Sequence, residues 1–397
     1  MTVFFRLLLA LPHIIWLVLW AIAALVVAIV AWFGALANER PPRFCHAFLS
    51  SFVRYSVHVS AYLSLTANRF PGFAGEQGSY EIDVVLPDEP QLQNRWKTGF
   101  RLILAIPAFF VEGALTGGSA GRSGGYNANL GALWASAFLG WWAALFTGRM
   151  PEGLRDLNLY ALRYSAQTSA YFLLVTESYP DADAFAPPVP ASAPPHPVTL
   201  TASDELERNR LTVFFRLLLV IPHWIWVALW SIAVLVVAIV GWFAALFTGR
   251  LPDSLHSFMA AFARYYLHVQ SYFYLAGGPF PGFLGKEGTY PLELRIAPPE
   301  LQNRWKTGFR WILAVPALIL AAALGGLLGA AAFLSWFAVL FTGRMPRGLL
   351  LAEHYALRYG GQLSAYALLL TDRYPYASPA RPAEAHGPEP VLAAETL

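Results

Sequence analysis

The sequence predicts an all-α membrane protein made of four repeated helical units, with short β-strands outside the membrane between the units. Its residues are 57% hydrophobic and only 13% charged, a balance that is unusual for a soluble globular protein. Several apolar runs are longer than the roughly 18 residues at which a helix can cross a bilayer. One motif also recurs four times. It consists of an apolar run that begins with Arg and Pro, a turn at the end of this run, and a following helix that carries Arg-Tyr.

The repeat divides the chain into two halves and each half into two units. Residues 2–73 match residues 212–283, and the segment 92–101 returns as 301–310. The four units are residues 1–73, 92–180, 208–283 and 301–376. The halves therefore comprise residues 1–180 and 208–376. Residues 181–207 form a Pro- and Ala-rich linker with a short strand, and the tail 377–397 is predicted to be disordered.

The apolar run of each unit is too long for a simple membrane crossing. Residues 217–248 would form a straight helix of about 48 Å, against a hydrocarbon core of about 30 Å. Unit two carries a polar, Gly-rich insertion at 112–127, whose backbone cannot lie unsatisfied in lipid. By analogy we expect each run to be a hairpin, with 325–329 as the apex in unit four. The alternative is one long tilted helix per unit, with unit two as an exception.

The second helix of each unit is predicted to be amphipathic. In unit three, apolar residues recur at 3-4 spacing on one face, and Arg264 and His268 lie on the opposite face. An Arg at the centre of a membrane helix costs roughly 2.5 to 3.5 kcal/mol on insertion scales. We therefore expect these helices to lie in the membrane interface or to face a protein-lined polar cavity.

Three segments between the units have the alternating or β-branched pattern of strands: 80–86, 198–201 and 290–296. Because an isolated hairpin is marginally stable, we expect the three to pair into one small sheet or to be covered by the amphipathic helices.

The candidate site is a stripe of Arg-x3-His/Gln-x3-Tyr on each second helix. Residues at i, i+4 and i+8 share one helix face. Four stripes could together bind an anionic headgroup or solute, because Arg makes bidentate contacts to phosphate and carboxylate. Alternatively they are the wet face of interfacial helices, with Arg reaching lipid phosphates. The stripes are Arg54-His58-Tyr62, Arg163-Gln167-Tyr171, Arg264-His268-Tyr272 and Arg358-Gln362-Tyr366.

Other kinds of site are poorly supported by the sequence. The motifs of nucleotide-binding loops, nucleophilic hydrolases and zinc proteases are absent, so no catalytic residue and no cofactor is predicted. The histidines lack metal-ligand spacing, and a single cysteine, Cys45, excludes an intrachain disulfide. With a net charge of only +3 and scattered basic residues, a nucleic-acid partner is not expected.

The phrases at 216–223, 242–250 and 303–306 resemble a bacterial membrane-protein family catalogued as domain of unknown function 4389. The resemblance extends over residues 1–376. It implies a repeated unit between short extramembrane strands, and it implies no established activity. Unit one departs from the pattern by having Asn38-Glu39 in place of Thr-Gly, and unit two departs by its insertion. A bias toward Ala, Pro and Arg suggests a bacterium with a GC-rich genome. We therefore expect a multi-pass protein of the bacterial plasma (inner) membrane.

These observations favour a non-enzymatic scaffold that interacts with lipid or with a membrane-protein partner. The expected partner is the lipid bilayer, including its anionic headgroups. The alternative is a transporter or channel with a polar path lined by the stripes, which requires Arg264 and Arg358 to face each other. A third hypothesis, an intramembrane enzyme using His58 or His268, needs a nearby carboxylate that the sequence does not indicate.

Overall fold

The computed structural model describes residues 2–117, 131–190, 192–202 and 205–382. Its elements follow the units in chain order. Unit one contains α1 (Thr2–Asn38) and α2 (Arg43–Leu63), and unit two contains α3 (Arg95–Gly99), α4 (Arg101–Thr116), α5 (Ala132–Thr147) and α6 (Glu152–Phe172). Strands β1 (Ser192–Ala193) and β2 (Val198–Ala202) precede unit three, which contains α7 (Arg210–Leu219), α8 (Ile221–Thr248) and α9 (Asp253–Phe273). Strand β3 (Leu292–Ile296) precedes unit four with α10 (Arg304–Gly308), α11 (Arg310–Thr342) and α12 (Arg347–Ala367), and β4 (Arg381–Pro382) follows.

The apolar runs form the long helices, by which we mean α1, α4 with α5, α7 with α8, and α11. The predicted hairpin is wrong for units one, three and four, where the helix is uninterrupted or passes through the single residue Val220. Gly325 and Gly329 lie inside α11 rather than at an apex. These runs contain no polar insertion, so their backbone groups can keep their helical partners, except next to Pro12 and Pro316, where the proline lacks an N–H. The prediction is also wrong for unit two, because α3, directly before α4, contacts the end of α1 through Thr98, whereas α5 contacts the beginning of α1 through Trp141.

Only unit two has a divided run. Helix α4 ends at Gly117, whose φ of 76° requires the left-handed conformation that glycine adopts freely. Glu112, expected in the inserted loop, instead lies in α4 and accepts a 2.6 Å hydrogen bond from Ser165 Oγ. Residues 113–116 of the insertion also belong to α4, and its residues 118–127 lie outside the described residues.

Each long helix packs against the second helix of its own unit, and α2, α6, α9 and α12 are these second helices. In unit three the long helix is buried along a line that repeats every seven residues: Val213, Val220, Val227, Val234 and Gly241. A seven-residue period keeps the same face of a helix against a partner that crosses it at a small angle. The repeat in the sequence thus produces a helical pair in each unit.

Reciprocal tryptophan contacts join the two units of each half. A tryptophan near the end of each long helix donates from Nε1 to a carbonyl at the beginning of the partner unit's long helix or in the short helix directly before it. The pairs are Trp32 with Thr98, Trp141 with Val3, Trp242 with Thr307 and Trp336 with Val213, at 2.8 to 3.2 Å. Since the end of each long helix meets the beginning of the other, the paired long helices run antiparallel.

The units form an open row in the order one, two, four, three. Helix α2 packs on α6, α4 and α5 pack on α11, α11 packs on α7, and α12 packs on α9. Within the described part of the chain, units one and three have no packing of comparable extent. The second helices therefore lie side by side rather than around a common axis.

The strands form two separate pairs, so the first expectation, one three-stranded sheet, is wrong, whereas β2 and β3 do pack on the second helices α12 and α9. β2 and β3 pair antiparallel, with Val198 opposite Ile296, and β1 and β4 pair in parallel. Residues 80–86 form no strand, because Asp83 accepts hydrogen bonds from the backbone N–H groups of Gly78 and Val84. The N–H of Val84 is thereby withdrawn from strand pairing.

The segment after α12 packs against the fold through Ala380, within the region predicted to be a tail. Ala377 is 8% exposed, and Ser378 and Ala380 are fully buried. Residues 383–397, the remainder of the predicted tail, lie outside the described residues.

The fold therefore has three layers. The long helices carry most of the exposed large apolar side chains, and the described residues of α6, α9 and α12 carry none of them. The second helices form the middle layer, with buried tyrosines such as Tyr160, Tyr265 and Tyr355. The segments that follow the second helices, here called the interunit segments (64–93, 173–202, 274–302 and 368–382), cover the other side, where β3 packs on α9 and β2 on α12.

Candidate functional site: the arginine stripes

Each stripe faces the interunit segment that follows its own helix. In unit three, Arg264 Nε donates to the carbonyl of Leu294 at 3.2 Å, and Nη2 lies 3.2 Å from a carboxylate oxygen of Glu287. His268 Nε2 lies 3.4 Å from Glu293, and its ring stacks on Tyr290. The polar face of α9 is therefore bound to the chain that runs over it.

Unit one repeats this arrangement with different side chains. Arg54 Nη2 donates to Gln77 Oε1 at 3.3 Å, and His58 Nε2 lies 3.2 Å from Asp83 Oδ1. Arg54 is 8% exposed and His58 is 1% exposed. The face that the sequence predicts to be wet is covered by the interunit segment.

In units two and four the arginine binds carbonyl groups instead of carboxylates. Arg163 donates to the carbonyls of Asp183 and Pro187, and Arg358 donates to those of Ser378 and Ala380. A guanidinium has five N–H donors, so one arginine can bind two carbonyl groups at once. Arg358 is only 2% exposed, so its guanidinium is hydrogen-bonded to these carbonyls inside the fold.

The glutamines at the middle position of these two stripes also bind the interunit segments. Gln167 Oε1 accepts a hydrogen bond from the N–H of Asp181 at 2.9 Å. Gln362 Oε1 accepts from Tyr376 N at 3.0 Å, and its Nε2 donates to Val198 O at 3.1 Å. Gln362 thus ties both its own interunit segment and β2 to α12.

The last position of each stripe, Tyr, belongs to a second arrangement that the sequence reasoning missed. In unit three, Arg216 on the long helix donates to the carbonyl of Tyr272 at 2.7 Å, and its guanidinium carbon lies 4.3 Å from the centre of the Tyr272 ring. It also donates to the carbonyls of Gly277 and Gly278. These carbonyls lie at or just after the end of α9, where a helix lacks internal donors and carries partial negative charge.

The same arrangement occurs in all four units, and we call it the arginine clamp. Each clamp joins an arginine near the beginning of the long helix to the tyrosine at the end of the second helix. The pairs are Arg6 with Tyr62, Arg101 with Tyr171, Arg216 with Tyr272 and Arg310 with Tyr366, with guanidinium-to-ring distances of 4.5, 4.3, 4.3 and 4.7 Å. All four arginines are at most 4% exposed. Stacking on an aromatic ring adds to the hydrogen bonds when the cation is desolvated.

Two histidines on the long helices are also held inside the fold. His13 Nδ1 lies 2.7 Å from the hydroxyl of Tyr55, and its ring stacks on Phe73. His223 repeats the contact with Tyr265 at 2.8 Å. Each imidazole therefore hydrogen-bonds to a tyrosine on the second helix of its own unit.

The described residues contain no group of three His, Cys, Asp or Glu side chains that could hold a metal ion.

The histidines near the beginning of α2 and α9 have backbone partners in the neighbouring unit: His46 bonds to Val175 and His256 to Leu370. The expectation that His58 and His268 lack a nearby carboxylate is wrong, since Asp83 and Glu293 supply one. Both carboxylates belong to interunit segments, and the sequence gives no direct indication that these segments fold back.

The electrostatics of the His58–Asp83 pair follow from the burial of His58. Burial lowers the pKa of His58, and the hydrogen bond and charge of Asp83 oppose this effect only in part. The neutral imidazole is therefore favoured near neutral pH. Such a pair can hold two segments together without placing a net positive charge beside Arg54.

Basic and aromatic side chains are exposed where the long helices begin. Trp96 is 79% exposed and Trp305 is 78% exposed, each between two basic residues of α3 or α10. Arg95 and Lys97 are paired with Glu39 and Glu177, whereas Arg304 and Lys306 are exposed. Trp flanked by Lys and Arg is typical of the region where a protein meets lipid headgroups.

The fold defines a class of mainly helical proteins whose long helices are compatible with a membrane. Three helical stretches among the described residues are long and apolar enough to span one: Val3–Asn38, Arg210–Thr248 and Arg310–Thr342. A family model described as Domain of unknown function (DUF4389) matches residues 1–74, 126–182, 210–283 and 304–378. The chain therefore belongs to this family, and the predicted resemblance to DUF4389 is confirmed over these four regions. No curated protein and no solved structure was found to match it.

Proposed function

We propose that the chain is a non-enzymatic membrane scaffold that holds lipid through its long helices. Its stripes fasten its own interunit segments rather than an external ligand. The observation that carries this proposal is that the arginine of every stripe donates to the interunit segment after its own helix. An arginine whose donors are used within the fold has few left for a phosphate or carboxylate.

Contacts with anionic headgroups are better assigned to the exposed ends of the long helices. Arg304 and Lys306 flank the exposed Trp305, and each basic residue near an anionic surface contributes about 1 kcal/mol of attraction. A multi-pass position in the bacterial plasma membrane and a membrane-protein partner remain predictions from the sequence.

The transport alternative has less support. A polar path would need the four stripes to converge, but the units form an open row in which Arg264 binds the segment around β3 and Arg358 binds the segment before β4. The paired strands β2 and β3 also lie over α12 and α9, which carry these two arginines.

The proposal is tested by comparing a stripe variant with an end variant of the full-length protein. Binding to vesicles with increasing anionic lipid would be measured by flotation, and the apparent Tm by intrinsic fluorescence. We expect Arg264→Gln to lower Tm and to leave the preference for anionic vesicles unchanged. The double variant Arg304→Gln and Lys306→Gln should keep Tm and weaken that preference, by roughly 30-fold if each charge contributes about 1 kcal/mol.

The reverse pattern would overturn the assignment. If Arg264→Gln weakens binding to anionic vesicles while Tm is unchanged, the stripes bind lipid directly. If solute flux into protein-containing vesicles exceeds that of empty vesicles and is lost with Arg264→Gln, the transport alternative replaces the scaffold.

A further inference from the structure

We propose that the long helices lie in the plane of the membrane, embedded in one leaflet, with the interunit segments on the aqueous side. This inference rests on the proposed function, because it specifies how the scaffold would hold lipid. It replaces the multi-pass arrangement that the sequence predicts. Three features of the described residues support it: the dimensions of the long helices, the position of exposed polar backbone, and the distribution of basic residues.

The dimensions of the long helices fit a leaflet better than a crossing. Helix α1 has 37 residues and is therefore about 55 Å long, nearly twice the thickness of the hydrocarbon core. A helix with its side chains is about 10 Å across, which fits within the roughly 15 Å of one leaflet. Exposed apolar side chains extend along α1 from Phe4 at 60% exposure to Phe33 at 62% exposure. A crossing helix would carry this apolar surface beyond the hydrocarbon core.

Exposed polar backbone lies beside the middle of the second helices. Gly285 packs against the carbonyl of Ala261, near the midpoint of α9, and the exposed residues Lys286 and Glu287 follow directly. If α9 crossed the membrane with its long helix, this charged loop would lie close to the bilayer centre. Non-helical backbone at that depth is tolerated only where protein or water surrounds it.

Unit one shows the same feature. Gly75 packs against the carbonyl of Ser51, near the midpoint of α2, and residues 76–79 are exposed. With the long helices in the plane of the membrane, both loops would lie on the face away from lipid. Their exposed backbone would then be hydrated.

Basic residues occur at both ends of the long helices. The contact of Trp32 with Thr98 places Arg95 and Lys97 at the end of α1, and the contact of Trp141 with Val3 places α5 and the following Arg149 at its beginning. A crossing would put similar positive charge on the two sides of the membrane, whereas membrane proteins concentrate it on the cytoplasmic side. In-plane helices have both ends at the same headgroup surface.

Depth measurements along α1 test the proposal directly. In full-length protein with Cys45→Ala, single spin-labelled cysteines would replace Leu8, Ile15, Ile22 and Ile29, which are 62%, 63%, 61% and 51% exposed and follow one face in seven-residue steps. Collision with oxygen and with a water-soluble nickel chelate reports the depth of each label. We expect equal depths at all four positions. A crossing helix would instead change depth by about 10 Å per step.

A second measurement uses sidedness and the same Cys45→Ala background. Cysteines at Asn38 and Thr147 lie near opposite ends of α1, and a cysteine at Ser79 lies in an interunit segment. An impermeant thiol reagent should label all three from one side of sealed vesicles. Labelling of positions 38 and 147 from opposite sides, or a depth gradient along α1, would overturn the in-plane arrangement while leaving the scaffold intact. Water exposure of all four α1 labels would overturn both.

Discussion

The guanidinium of Arg216 lies 4.3 Å from the ring centre of Tyr272 and donates a 2.7 Å hydrogen bond to the carbonyl of the same residue. One side chain thereby joins the beginning of a long helix to the end of its second helix. The tyrosine contributes its ring to the clamp and belongs by sequence to the stripe, so the two arrangements share a residue. The clamp closes each helical pair at the end opposite to its turn.

We predict that Arg216→Met destabilises the protein by at least about 2 kcal/mol. The substitution removes the arginine donor from the carbonyls of Gly277 and Gly278, whereas the carbonyl of Tyr272 keeps the N–H of Leu275, and an unpaired buried polar group costs about 1–3 kcal/mol. The apparent Tm in lipid nanodiscs measures the loss. Arg216→Lys should recover only part of it, because an ammonium lacks the planar fork of donors.

The matched control for the clamp is Arg210→Met. Arg210 lies on the same helix and is exposed, so its loss should change Tm little. Equal effects of the two methionine variants would mean that the clamp does not stabilise the fold.

The second prediction concerns the contact between His223 and Tyr265. Their 2.8 Å hydrogen bond is buried, and the corresponding position to His223 in unit four is Ala317, so an alanine can be accommodated there. We expect Tyr265→Phe and His223→Ala each to lower the free energy of unfolding. A double-mutant cycle should give a coupling energy of about 1 kcal/mol. Strictly additive effects would contradict a direct hydrogen bond.

The third prediction compares two glycines of one interunit segment. Gly285 and Gly288 have φ values of 57° and 72°, so alanine is strained at both positions. A Cβ at position 285 would lie 2.1 Å from the carbonyl of Ala261, whereas nothing lies within 4 Å of a Cβ at position 288. We expect Gly288→Ala to cost about 1–2 kcal/mol and Gly285→Ala several times more. Chemical or thermal unfolding in matched detergent measures both.

Similar losses for the two alanine variants would show that the interunit segment does not approach α9 as closely as the structure indicates. The comparison also tests whether the interunit segment packs on α9, since Gly285 sets the path of the loop beside Arg264.

The sequence allowed the repeat and the family to be predicted, because both depend on identical residues at corresponding positions. It also contained an unused signal for the clamps. Arg6, Arg216 and Arg310 each precede their tyrosine by 56 residues, while Arg101 precedes Tyr171 by 70. The longer separation contains the unit-two insertion. A constant spacing between a buried cation and an aromatic residue indicates a conserved contact within a repeat.

The path of the interunit segments could not be predicted in the same way. The stripe on α9 has the periodicity of a solvent-facing helix, and a polar face covered by polar chain has the same pattern as one covered by water. The carboxylate beside His268 comes from Glu293, which is far along the chain and has no local signal. Hydrophobic periodicity reports which face is polar, and it does not report what covers that face.

The last prediction concerns Glu353, which is fully buried on α12, outside the three candidate spans. Burial raises its pKa well above 4.5, and the hydrogen bond from Ser335 and the charges of Arg208 and Arg216 oppose this effect. The folded state therefore binds a proton more tightly than the unfolded state does. Between pH 4.5 and the raised pKa the unfolded state holds fewer protons, so stability falls as the pH rises.

Glu353→Gln should remove this pH dependence. Asn158 occupies the corresponding position in unit two, where its side chain accepts a hydrogen bond from Ser136, so a neutral amide is compatible with the fold. We expect the variant to raise Tm at pH 8 and to change it little well below pH 4.5, because only there is Glu353 protonated in both the folded and the unfolded state. Thermal unfolding of the two proteins across this range measures the difference. A variant that is less stable than the parent at pH 8 would show that Glu353 is ionised and stabilised by the two arginines.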